Sequence, residues 1–118
     1  MVVGCRLMVV GVFITPLNIM NKDYTDLEVW QESRKLANNI YDLTNLFPKE
    51  EQFGLTNQIR RAAVSIPSNI AEGCGRQTAK DTINFLHIAR GSLYEVETQC
   101  FLSLDQQYIS QENFESIF

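Results

Sequence analysis

The chain has 118 residues, 45% of them apolar and 20% charged, with 14 acidic side chains against 10 basic ones and a formal net charge of −4. This is the composition of one ordinary globular domain, and it excludes a multidomain enzyme. The acidic balance argues against strong non-specific binding to nucleic acid over the whole surface, while leaving room for a local basic patch. Cys5, Cys74 and Cys100 lie far apart, form no C-x-x-C and are odd in number. That fits reduced thiols in a cytoplasm better than a disulfide framework.

In chain order, Met1 to Met20 is apolar apart from Arg6, Thr15 and Asn18, with its longest apolar run from Leu7 to Ile14. As a helix that run would span about 12 Å, well short of a hydrocarbon core of about 30 Å, so no membrane span is expected. Arg6 ahead of an apolar run has the look of a signal peptide, but no small-x-small cleavage pattern follows. Residues 1–22 are read as an apolar extension, non-native or disordered, in front of a domain covering 23–118.

From Leu27 to Phe47 the residues Val29, Ser33, Leu36, Ile40, Leu43 and Phe47 recur at alternating gaps of four and three, the spacing of a helix-bundle seam. Asp26 or Thr25 is expected to cap this helix and Pro48 to end it. Leu55, Ile59, Ala62, Ala63, Ile66 and Ile70 form a second stripe that continues through Pro67, with a kink expected near Ala63 to Pro67. Gly73 and Gly75 are expected to close the helix in left-handed conformation.

Thr78 and Asp81 mark the start of a third helix, carried on by Leu86, Ala89, Leu93, Val96, Cys100 and Ser103. Gly91, in its interior, costs about 1 kcal/mol relative to alanine and so suggests a close contact there. Ser110 caps a fourth helix whose apolar face is begun by Phe114, Ile117 and Phe118. The pattern predicts an all-α, up-down antiparallel four-helix bundle with its fourth helix cut short.

Several strings then match a known family. Leu27-Glu28-Val29-Trp30, Phe53-Gly54-Leu55-Thr56, the run from Gln58 to Gly73, Gly75-Arg76 and the run from Ala89 to Glu95 occur in the order seen in that family. In these the chain resembles the four helix bundle proteins encoded in intervening sequences of bacterial 23S rRNA genes. The likeness covers Asp26 to Phe118 and is carried above all by R-R-A-A-V-S-I-P-x-N-I-A-E-G. It implies a four-helix bundle that assembles into a homo-oligomeric ring, commonly a pentamer. It also implies kinship with the accessory proteins of diversity-generating retroelements, which bind a reverse transcriptase and nucleic acid through basic residues. The chain departs from the family in its apolar extension before Met20 and in its short fourth helix.

No catalytic constellation is visible. His87 is the sole histidine and has no second ligand at metal spacing, so it reads as a helix-surface imidazole, and no metal or cofactor is expected. Ser65, Ser68 and Ser92 lack a histidine base, and Gly73-Cys74-Gly75-Arg76 follows a helix and is a poor phosphate loop. Cys74, between two glycines, is expected to be an exposed thiol. Glu72 and Glu95 could approach one another between the second and third helices. They are read with Asn69 and Ser92 as a structural polar network, satisfied by Asn69, Arg60 and Arg61.

The basic candidates for holding nucleic acid or another partner are Arg60, Arg61, Arg76, Lys80 and Arg90. On one protomer they are unremarkable, with acids interspersed and no aromatic-basic interleaving along the sequence. Repeated around a ring they would concentrate positive charge. The reading that follows is a cytoplasmic, non-catalytic homo-oligomeric module that binds RNA or an RNA-associated protein. A purely structural scaffold is the alternative, and a carboxylate enzyme built on Glu72 and Glu95 has the least support.

Overall fold

The computed structural model describes residues 23–118, and the expectations for residues 1–22 lie outside them. Four helices follow one another: α1 (Glu28–Thr44), α2 (Leu55–Cys74), α3 (Ala79–Asp105) and α4 (Gln111–Ile117). Among the described residues there is no strand, and the helices pack antiparallel as the spacing predicts. The 3-10 turns Tyr24–Asp26 and Lys49–Glu51 precede α1 and α2.

The start of α1 differs from expectation. Asp23, not Asp26 or Thr25, supplies the side-chain acceptor, taking bonds from the Thr25 N–H at 3.0 Å and the Thr25 hydroxyl at 2.7 Å, and it caps the 3-10 turn instead of the helix. Leu27 occupies the N-cap position of α1 without a side-chain bond, while Gln31 Nε2 donates to the Thr25 carbonyl at 2.9 Å and ties the turn to the helix. At the other end α1 stops at Thr44, ahead of Pro48, and Phe47 is still buried in the core.

α2 runs unbroken through Pro67. The ring has no N–H to give and loosens the preceding turn. There Ser68 Oγ donates to the Val64 carbonyl at 2.8 Å and Asn69 Nδ2 to the Ser65 carbonyl at 2.8 Å, returning side-chain bonds to that turn.

The glycines at the end of α2 act otherwise than expected. Gly75 has φ −87°, an ordinary right-handed value, so it is not a left-handed cap. Gly73 is buried inside the helix, where a Cβ would lie 3.1 Å from Phe85 Cβ and 3.3 Å from the Thr82 carbonyl oxygen. Thr82, fully buried, donates its hydroxyl to the Gly73 carbonyl at 2.9 Å. Gly73 therefore serves the close crossing of α2 and α3.

Left-handed closure occurs instead at the end of α3, where Gln107 has φ 62°. The Tyr108 N–H bonds to the Ser103 carbonyl at 2.9 Å and the Gln107 N–H to the Leu104 carbonyl at 3.0 Å, the paired bonds of a Schellman motif. At the start of α3 the Thr78 hydroxyl accepts from the Asp81 N–H, as expected. The close contact expected at Gly91 is not made: nothing lies within 4 Å of where its Cβ would be. α4 opens with a capping box between Ser110 and Asn113.

α2 is the central element, packed along its length against α1 on one side and α3 on the other, and α4 rests on α1 and α3 at one end of the bundle. The core holds the residues the spacing selects: Val29, Leu36, Ile40 and Leu43 from α1, Ile59, Ala63, Ile66 and Ile70 from α2, and Ala89, Leu93, Val96 and Cys100 from α3. Ile109 and Ile117 seal the α4 end, where Phe101 meets Phe114 with ring centroids 4.8 Å apart. α1, α2 and α3 leave a groove of about 210 Å³ floored by Ile66 and Leu93, with Glu32, Lys35 and Asn39 on its lip.

Candidate functional site

Arg60 lies half-buried at the seam between α1 and α2. Its Nε donates to Thr44 Oγ1 at 2.7 Å, and its Nη2 to the Asn45 side-chain oxygen at 3.2 Å and the Tyr41 carbonyl at 3.4 Å. The guanidinium carbon sits 4.8 Å from the centroid of the Tyr41 ring. Thr44 is itself anchored, since its buried hydroxyl donates to the Ile40 carbonyl at 2.8 Å. Every partner of this guanidinium is neutral. The ion pairs among the described residues, Lys35 with Glu32 and Arg76 with Glu72, leave Arg60 without a carboxylate within 4.0 Å. The side chain is thus held in place while its charge is left uncompensated.

Arg61, the next residue, is exposed and takes part in no ion pair among the described residues. With Tyr41, Asn57, Arg60, Val64 and Ser65 it lines a shallow groove of about 460 Å³ on the outer side of α1 and α2. About two turns back along α1 from Tyr41, Arg34 lies over the Trp30 ring at 5.5 Å, and Trp30 meets Tyr24 edge-on at 5.3 Å. The helical period places Trp30, Arg34, Asn38, Tyr41 and Asn45 on one face of α1, and Glu28, Glu32 and Asp42 on another. Aromatic and basic groups thus interleave across the hairpin although they do not along the chain. Sequence reasoning missed Arg34 and took Trp30 and Tyr41 only as widening the apolar face, because their shared face with Arg60 follows from helix geometry and the folding back of α2.

The five cations selected from sequence fall in three places. Arg60 and Arg61 stand in the first half of α2. Arg76 is 16 residues on, about 24 Å along a helical rise, and exposed Lys80 opens α3. Arg90 is exposed on α3, on the side that carries Leu86 and Tyr94. Arg76 is already engaged: it pairs with Glu72 at 2.8 Å and lies 4.4 Å over the Phe85 ring.

The polar network also differs from expectation. Asn69 Nδ2 donates to Ser65 Oγ at 2.9 Å, and Ser92 Oγ to the same oxygen at 2.9 Å, so Asn69 and Ser92 join α2 to α3 through Ser65. Glu72 and Glu95 stand outside it, both exposed, and the partner of Glu72 is Arg76 rather than Asn69, Arg60 or Arg61. A carboxylate one helical turn from a cation finds it before reaching another helix.

His87 is exposed on α3, and no group of three or more His, Cys, Asp or Glu side chains able to hold a metal ion occurs among the described residues. Cys74, expected to be exposed, is buried where α2 meets α3. Burial, with a smaller contribution from Glu97, pushes the Cys100 thiol up to about 12, so it stays protonated and inert at neutral pH. Among the described residues no helix is long and apolar enough to cross a membrane.

A family profile described as 23S rRNA-intervening sequence protein matches residues 25–118, all of the bundle and most of the chain. The chain belongs to that family. A comparison with curated proteins gives no match. In this 23S rRNA-intervening sequence protein the run from Arg60 to Gly73 on α2 supplies the seam arginine, the Ser65 and Asn69 junction with α3 and the close crossing at Gly73.

Proposed function

We propose that this protein is a non-catalytic binding module that acts as a homo-oligomer, and that it holds RNA on the outer face of α1 and α2. The observation that carries this reading is Arg60, whose guanidinium is fixed by Thr44, Asn45 and Tyr41 with no carboxylate beside it. A cation immobilised by neutral acceptors keeps its charge available to a phosphate and loses little further side-chain entropy on binding. Arg61 adjoins it, so the pair forms a basic site on an acidic protein. A ring of copies, as the family resemblance implies, would repeat the site and raise its avidity.

Titration of the full chain with labelled RNA at about 50 and about 200 mM salt tests this. The expected result is salt-sensitive binding that Arg61→Glu weakens at least about tenfold, with the helical circular dichroism of the parent retained. No binding by the folded parent, or undiminished binding by Arg61→Glu, overturns the RNA assignment.

A scaffold that binds another protein is the second reading. It rests on Phe53, 88% exposed, and exposed Leu46, both in the connection from α1 to α2.

A further inference from the structure

We infer that the strand this face receives is single-stranded RNA, laid along the α1–α2 hairpin from Trp30 to Arg61 with unpaired bases stacked on the guanidinium planes. The inference rests on the RNA reading above and adds the class of RNA and the manner of contact. Two arginines lie over aromatic rings on the same side of the hairpin, Arg34 over Trp30 at 5.5 Å and Arg60 over Tyr41 at 4.8 Å. Each guanidinium is backed by a ring, and Arg60 is further locked by Thr44 and Asn45. Flat planes of this kind are matched by the π-face of an unpaired base, which a duplex keeps stacked inside itself.

The spacing and charge agree. From Trp30 to Asn45 the face extends about 22 Å along α1, long enough for a short tract of unpaired nucleotides. Arg34, Arg60 and Arg61 follow that track, and Asn38 and Asn57 stand along it as neutral donors and acceptors. The acids of α1, Glu28, Glu32 and Asp42, sit on another face, and α2 carries none between its start and Glu72. Three cations with this segregation suit a short tract of single strand. A duplex would ask for more phosphate contacts and would leave the ring-backed planes unused.

Fluorescence anisotropy of the full chain with labelled oligouridylate, and separately with the duplex of the same length, tests the inference. Single-strand binding is expected to be at least about tenfold tighter than duplex binding at equal salt. Arg60→Lys and Arg34→Lys keep the charge and lose the plane. Each is expected to weaken single-strand binding several-fold while leaving the salt dependence unchanged, and exposed Arg34 gives that comparison where folding is not at stake. Arg61→Ala is expected to lower the slope of log affinity against log salt by about 0.7. Duplex binding as tight as single-strand binding, or full affinity in both lysine variants, overturns the inference and leaves the RNA reading standing. Absence of binding to either RNA overturns both.

Discussion

A Cβ at Gly73 would meet Phe85 Cβ at 3.1 Å and the Thr82 carbonyl oxygen at 3.3 Å, and neither atom can swing aside because one is main chain and the other adjoins it. Gly73→Ala is therefore expected to destabilise the fold by about 1–3 kcal/mol through overpacking, despite the better helix propensity of alanine. Gly91 stands in the opposite situation, exposed and with open space around it. Gly91→Ala is expected to stabilise by up to about 1 kcal/mol by removing backbone freedom from the unfolded chain. Chemical denaturation of the two variants checks both signs. Sequence marks each glycine as a position of close approach or closure, but which one a neighbour crowds depends on where α3 crosses α2, about which the local pattern is silent.

At the level of elements, the ends of the helices carry information that the stripes do not. Gln107 holds a left-handed conformation that disfavours side chains, in a Schellman motif that most often takes glycine. Gln107→Gly is expected to raise stability by about 1 kcal/mol, read as a higher denaturation midpoint with an unchanged slope. The entry to α2 is held by Glu51, whose Oε1 accepts from the Leu55 N–H at 3.1 Å and whose Oε2 accepts from the Tyr108 hydroxyl at 2.7 Å. One carboxylate thus caps α2 and ties the α1–α2 connection to the α3–α4 connection, 57 residues away in sequence.

The Leu55 N–H first, and then the Tyr108 hydroxyl, hold the Glu51 carboxyl below its ordinary value of 4.5, and the same bond raises Tyr108. Because the folded state favours ionised Glu51, its contribution is present above that ordinary value and is lost as pH falls through the lowered one. Glu51→Gln is expected to be less stable than the parent near pH 7, with the difference shrinking as the medium is acidified. Thermal unfolding of both across that range is the check. Glu51 was not singled out from sequence, since nothing local announces a side chain that caps the following helix and reaches a tyrosine in a distant loop.

Over the whole molecule, the net charge of −4 conceals a sorting of charge that arises from packing. Glu28, Glu32 and Asp42 lie on one face of α1, while Arg34, Arg60 and Arg61 line a different side of the hairpin. The five cations chosen from sequence separate into three places, and Arg76 is paired with Glu72. Arg34, the better partner for Arg60, has no marked neighbour in the chain.

Period alone determined the helices and their inward faces: Val29, Ser33, Leu36, Ile40, Leu43 and Phe47 are all buried, as are Ile59, Ala62, Ala63, Ile66 and Ile70. Apolar side chains at intervals of three and four can leave water together only on a helix, so that part of the fold is written locally. The basic face is not. Arg60 lies 16 residues from Thr44 and 19 from Tyr41, and only the return of α2 along α1 brings the hydroxyl, the ring and the guanidinium together. Tertiary structure decided which arginines keep a free charge, because hydrogen bonds and ion pairs act over a few ångströms of space, whatever the distance along the chain.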